Sequence, residues 1–263
     1  MSSVTFIIGI IVLLAALVCY AFVSQTIQQK KEQRKRLLSG LKGQLRSFKF
    51  VLSGCPEGFL TKELKVIVLR SLIEVSEQLS KLDPKEPAHR QELQTNTNML
   101  AEVQRAPPTN ARVSLENLQQ IKEVKMSLEE LHRFVFNLEG QNRLTRAQAD
   151  AYRVQIKQLV LQVTVDGYVL NGQQASQSEK TKLALHYFDL AIKLLVREGK
   201  AGMFDAKIAQ LRTICEQLTA KLAEEGESLP GNTSESSSEE LEGEWDKFSE
   251  KNDDQWRKKQ VYD

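Results

Sequence analysis

The chain has 263 residues, 41% apolar and 27% charged, which suffices for one or two globular domains. Its formal net charge of +2 is a cancellation, because bases gather near the start and acids at the end, so charge is read locally. Aromatics at 6%, no alternating Val/Ile/Thr/Tyr runs, and an excess of Leu, Gln, Glu, Lys and Ala exclude a β protein. Three scattered cysteines, Cys19, Cys55 and Cys215, exclude a disulfide framework or cysteine zinc site and suit a reducing compartment.

Residues 4–23, VTFIIGIIVLLAALVCYAFV, carry no charge. At 1.5 Å per residue such a helix reaches roughly 30 Å, the thickness of a bilayer's hydrocarbon core. No base precedes the run, it exceeds a secretory apolar region, and no A-x-A cleavage pattern follows, so an uncleaved anchor is expected after a short external N-terminus, residues 1–3. Lys30, Lys31, Arg34, Lys35 and Arg36 follow the run. By the positive-inside rule the N-terminus is expected outside and the remainder in the cytoplasm, an arrangement that fits a bacterial inner membrane.

Between residues 30 and 49 eight bases stand against Glu32 alone, a local charge of +7. Leu38, Leu41, Leu45, Phe48 and Leu52 recur at steps of three and four, so residues 24–53 are predicted as a basic amphipathic helix. Its apolar face is expected to pack on the protein and its bases to face anionic lipid. Nucleic acid is disfavoured, since interleaved aromatics and a binding motif are absent.

Gly54, Pro56 and Gly58 break the chain, and an all-helical cytoplasmic domain is predicted over residues 60–223. Leu64, Ile67, Val68, Leu72, Val75, Leu79 and Leu82 mark a first helix, closed by Pro84 and Pro87. A polar helix is expected over about residues 88–105, then a loop near 106–113 containing Pro107 and Pro108. Ile121, Val124, Leu128, Leu131, Val135 and Leu138 form a heptad seam. A short loop and the capping-box pattern Thr145-Arg-Ala-Gln148 introduce the next helix, so the two are expected to bury their seams as an antiparallel hairpin. The same seam offers homo-oligomerisation as an alternative.

Within residues 165–199, Tyr168, Gly172, Ala184, Phe188 and Ala191 follow steps of four, twelve, four and three. This spacing resembles the tetratricopeptide repeat, which implies a helical hairpin in which Gly172 and Ala184 permit close approach and Phe188 fills the gap. One copy builds no peptide groove. A last helix over about 203–223, with Phe204, Ile208, Leu211, Ile214, Leu218 and Leu222 inward, completes the predicted bundle.

Residues 224–263 hold thirteen acids against five bases, a net −8, with too little apolar surface to offset ordering entropy, so the tail is expected to be disordered. Both tryptophans, Trp245 and Trp256, lie there with Phe248 and Tyr262. Aromatics in such a segment are candidate anchors for a groove on a cytoplasmic protein partner. His89, His132 and His186 show no HxxxH or HExxH spacing, and no phosphate loop, dinucleotide fingerprint or nucleophile elbow occurs. No catalytic residue, metal or cofactor is therefore expected. The reading is an all-α chain: one transmembrane helix, a cytoplasmic helical-hairpin bundle and an acidic tail, acting as a membrane-tethered scaffold or adaptor. The alternative is a self-associating structural subunit of a larger membrane complex.

Overall fold

The computed structural model describes the backbone of residues 2–107, 113–199 and 202–224; side chains of residues 2–16, Val18 and Glu224 lie outside that description. The described residues form seven α-helices and no strand: α1 (Ser2–Ser53), α2 (Lys62–Leu82), α3 (Pro87–Arg105), α4 (Leu118–Gly140), α5 (Arg146–Gln177), α6 (Thr181–Glu198) and α7 (Asp205–Glu224). The chain divides into two compact units, Met1–Lys49 with Lys65–Pro107, and Phe50–Leu64 with Pro108–Asp263.

In the first unit, α1 runs unbroken from the apolar stretch into the basic one, because no Gly-Pro signal interrupts the helix formers before Gly54. Among the described residues no helix is long and apolar enough to cross a membrane. The expected span, residues 4–23, falls largely on residues whose side chains lie outside the description. Burial along α1 then increases: Lys30, Lys31, Arg34, Lys35 and Arg36 are exposed, Leu38 and Leu41 half-buried, Leu45 and Phe48 buried. Val68, Leu69, Leu72, Val75 and Leu79 supply the buried face of α2. The polar α3 presents Asn96 inward, and its side-chain amide donates to Ser76 Oγ of α2 at 3.3 Å.

In the second unit, α4 packs on α5, α5 on α6 and α6 on α7. All six heptad residues of α4, from Ile121 to Leu138, are buried, so the seam is used within the chain. Asn117 starts α4, its side chain accepting from the Gln119 amide at 2.9 Å. The expected capping box is formed: Thr145 accepts from the Gln148 amide and the Gln148 side chain accepts from the Thr145 amide, satisfying two otherwise orphaned donors.

Helix α5 departs from the one-seam expectation. It buries Leu159, Val160, Leu161, Val163, Thr164, Val165 and Asp166 in near succession, on a helix against which both α4 and α6 pack. A helix covered on several sides loses the amphipathic signature that sequence periodicity detects.

The α5/α6 hairpin turns at residues 178–180, where Glu179 adopts the left-handed conformation at φ 59° and the Lys180 amide donates to Ala175 O at 2.9 Å. Tyr168, Gly172, Ala184, Phe188 and Ala191 are all buried. A Cβ placed on Gly172 would lie 2.8 Å from Phe188 Cε1, so the absent side chain is what lets the Phe188 ring seat against α5. Phe204, just before α7, and Leu211, Leu218 and Leu222 on it are buried, and Ile208 and Ile214 half-buried.

Candidate functional site

The basic stretch of α1 divides into two parts by what its charges touch. Lys42 Nζ lies 3.7 Å from Glu86 Oε2, and Lys49 pairs with Glu92 of α3. Those two charges serve the unit's own packing. Arg34 donates to the carbonyl of Leu82, the last residue of α2, where a cation complements the negative end of the helix dipole. Lys30, Lys31, Lys35 and Arg36 are exposed and have no acidic partner among the described residues.

The effective basic surface is therefore shorter than the +7 stretch of the sequence and concentrated next to the apolar run. Helical rise puts Lys30 about 10 Å past Val23 and Arg36 about 20 Å past it. With a Debye length of about 8 Å at physiological salt, Lys30 and Lys31 would feel any charged surface placed at Val23 more strongly than Arg36 would.

Two of these bases, Lys31 and Lys35, border an open groove of about 530 Å³, lined also by Arg34, Leu38, Asp83, Pro84 and Lys85. Four cations against one carboxylate make it an anion-attracting concavity. At the turn from α2 to α3, Asp83, Glu86 and His89 bring one ligand-type atom each to within 4.8 Å of one another. Sequence reading missed this group because it sought paired histidines or cysteines, whereas a Pro-containing turn gathers one histidine and two carboxylates here.

The second unit contains buried charges with structural partners. Arg153 of α5, only 8% exposed, bonds Glu139 of α4 and Asp150 at 2.8 Å, and its guanidinium lies 5.6 Å from the Phe136 ring centroid. Asp166 of α5, 3% exposed, accepts from Lys207 of α7. An open groove of about 580 Å³ runs along α6 and α7, lined in part by Leu195, Val196, Phe204, Ile208 and Arg212. Cys215, on α7, has its thiol pKa pushed up, first by burial and then by the carboxylates of Asp189 and Glu216, so it is a poor nucleophile near neutrality.

The aromatic candidates Trp245, Phe248, Trp256 and Tyr262 lie outside the described residues. No protein-family model matches the chain, and neither a curated protein nor a solved structure matches it.

Proposed function

We propose that this chain is a single-pass membrane scaffold or adaptor. Residues 4–23 anchor it in the bilayer, Lys30, Lys31, Lys35 and Arg36 meet anionic head groups, and the helical body with the acidic tail docks a cytoplasmic protein. The observation that carries the reading is the described end of the apolar run. Leu17, Tyr20, Phe22, Val23 and Ile27 are all exposed, between 48% for Ile27 and 74% for Tyr20, on a helix whose next charged residues are cations without acidic partners among the described residues. Contiguous exposed apolar surface of this kind needs a cover, and a bilayer supplies one for side chains projecting all round a helix.

Each unpaired base near an anionic leaflet adds about 1 kcal/mol of attraction, enough to orient the unit at the surface but small beside the anchor itself. Tethering then raises the concentration of a bound partner near the membrane. Trp245, Phe248, Trp256 and Tyr262 are the residues proposed to engage that partner. Self-assembly through the heptad seam is the weaker reading, since Val124, Leu128, Leu131 and Val135 are fully covered within the single chain.

Proximity labelling with the full-length chain, a Trp245→Ala/Trp256→Ala variant and a chain ending at residue 223 tests the proposal. A labelled protein present with the first and depleted with the other two supports docking through the tail. The same partners with all three remove the tail from the mechanism.

A further inference from the structure

We propose that Asp83, Glu86 and His89 form a binding site for a divalent transition-metal ion of the zinc type. The turn is built by sequence: Asp83 follows the last residue of α2, Pro84 stops that helix, and Pro87 opens α3 at its first position. The Glu86 amide donates to the Asp83 carbonyl at 3.4 Å, which folds the two acidic residues toward each other. Glu86 sits at the N-cap of α3, yet its side chain makes no capping hydrogen bond. Its carboxylate lies instead 3.5 Å from His89 Nε2.

His89 is the independent observation. It is 6% exposed, and its Nε2 is a buried polar atom without a hydrogen-bond partner, held against the two carboxylates. A buried imidazole nitrogen left without a hydrogen bond costs about 1–3 kcal/mol, and the Glu86 carboxylate at 3.5 Å does not reach it with hydrogen-bond geometry, so a bound ion would offset that cost. It would also offset the repulsion between Asp83 and Glu86.

The three donor atoms lie within 4.8 Å of one another. Bonds of about 2.0–2.2 Å around a tetrahedral ion bring ligand atoms to roughly 3.3–3.5 Å apart, a contraction that the exposed Glu86 and half-buried Asp83 side chains can supply by rotation while His89 stays fixed. One imidazole and two carboxylates suit Zn²⁺, Co²⁺ or Mn²⁺ better than Ca²⁺ or Mg²⁺, which prefer oxygen throughout. Remaining positions open toward solvent at Glu86 and would be filled by water. The ion would tie the end of α2 to the first turn of α3. Lys42, 3.7 Å from Glu86 Oε2, competes for the same carboxylate, and Lys31, Arg34, Lys35 and Lys85 share the adjoining groove with Asp83, so both weaken the site without removing its three donors.

The test uses the full-length chain in detergent, purified without a histidine tag and stripped with chelator. Titration calorimetry with Zn²⁺ should give one equivalent. His89→Ala and Asp83→Asn should each weaken binding by more than about 100-fold, beyond the loss typical of a supporting residue, with helical circular dichroism unchanged. Lys42→Ala should tighten it about tenfold by removing a neighbouring positive charge. Co²⁺ should give a ligand-field spectrum without a thiolate charge-transfer band, which separates this site from the cysteines. Absence of Zn²⁺ binding, binding unchanged in Asp83→Asn, or a thiolate band would each overturn the proposal. Asp83→Asn decides the matter should His89→Ala fail to fold.

Discussion

At the scale of single residues, the second unit depends on one missing side chain and on buried charges. Gly172→Ala gains up to about 1 kcal/mol of helix propensity but drives a methyl into the Phe188 ring, an overpacking cost of about 1–3 kcal/mol, so a net loss of stability is expected in urea unfolding. Phe188→Leu in that background should recover about 1 kcal/mol relative to the sum of the single changes. Lys207→Met leaves the Asp166 carboxylate buried without its countercharge and should cost about 3 kcal/mol, whereas Asp166→Asn, which removes the charge itself, should cost less. Cys215 gives a pH prediction. Burial and two carboxylates hold its thiol protonated above the usual range, so its alkylation by iodoacetamide should stay slow at pH 8 and accelerate at more alkaline pH. The same raised pKa contributes stability that is present below the unfolded thiol's pKa and is lost as pH rises toward the folded one.

At the scale of helices, legibility followed burial geometry. The heptad seam of α4 could be read because one face is covered, and the capping box at Thr145 because it is local. The close approach of Gly172 and Phe188 was carried by spacing alone. Helix α5 is harder to read: its buried Arg153 and Asp166 look like surface charges in sequence, and besides Asp150 on α5 itself it is Glu139, Phe136 and Lys207 from other helices that give them partners. The Asp83, Glu86 and His89 cluster was hidden for a similar reason, since the fold of a turn and not a repeat of histidines assembles it. Likewise, the +7 of the basic stretch overstated its free charge, because Glu86 and Glu92 of α3 take up Lys42 and Lys49. Leu128→Asp tests the intramolecular use of the α4 seam. With Leu128 fully buried, a carboxylate there should cost more than about 4 kcal/mol and abolish the cooperative unfolding transition of the second unit, whatever the protein concentration. Loss of a dimer with the fold intact would instead assign the seam to self-association.

At the scale of the whole chain, the proposed function depends on the apolar beginning of α1 being held in lipid. The apolar side chains at the described end of that run are exposed, and among the described residues the cations beyond them lack acidic partners, which are the hydrophobic and electrostatic grounds of the proposed anchor. Alkaline carbonate extraction of membranes from cells making the chain is the most direct test. The full-length protein should remain in the membrane pellet, and a version beginning at residue 25 should move to the supernatant with its helical content preserved. Release of the full-length protein by carbonate would contradict the anchor and the tethering that rests on it.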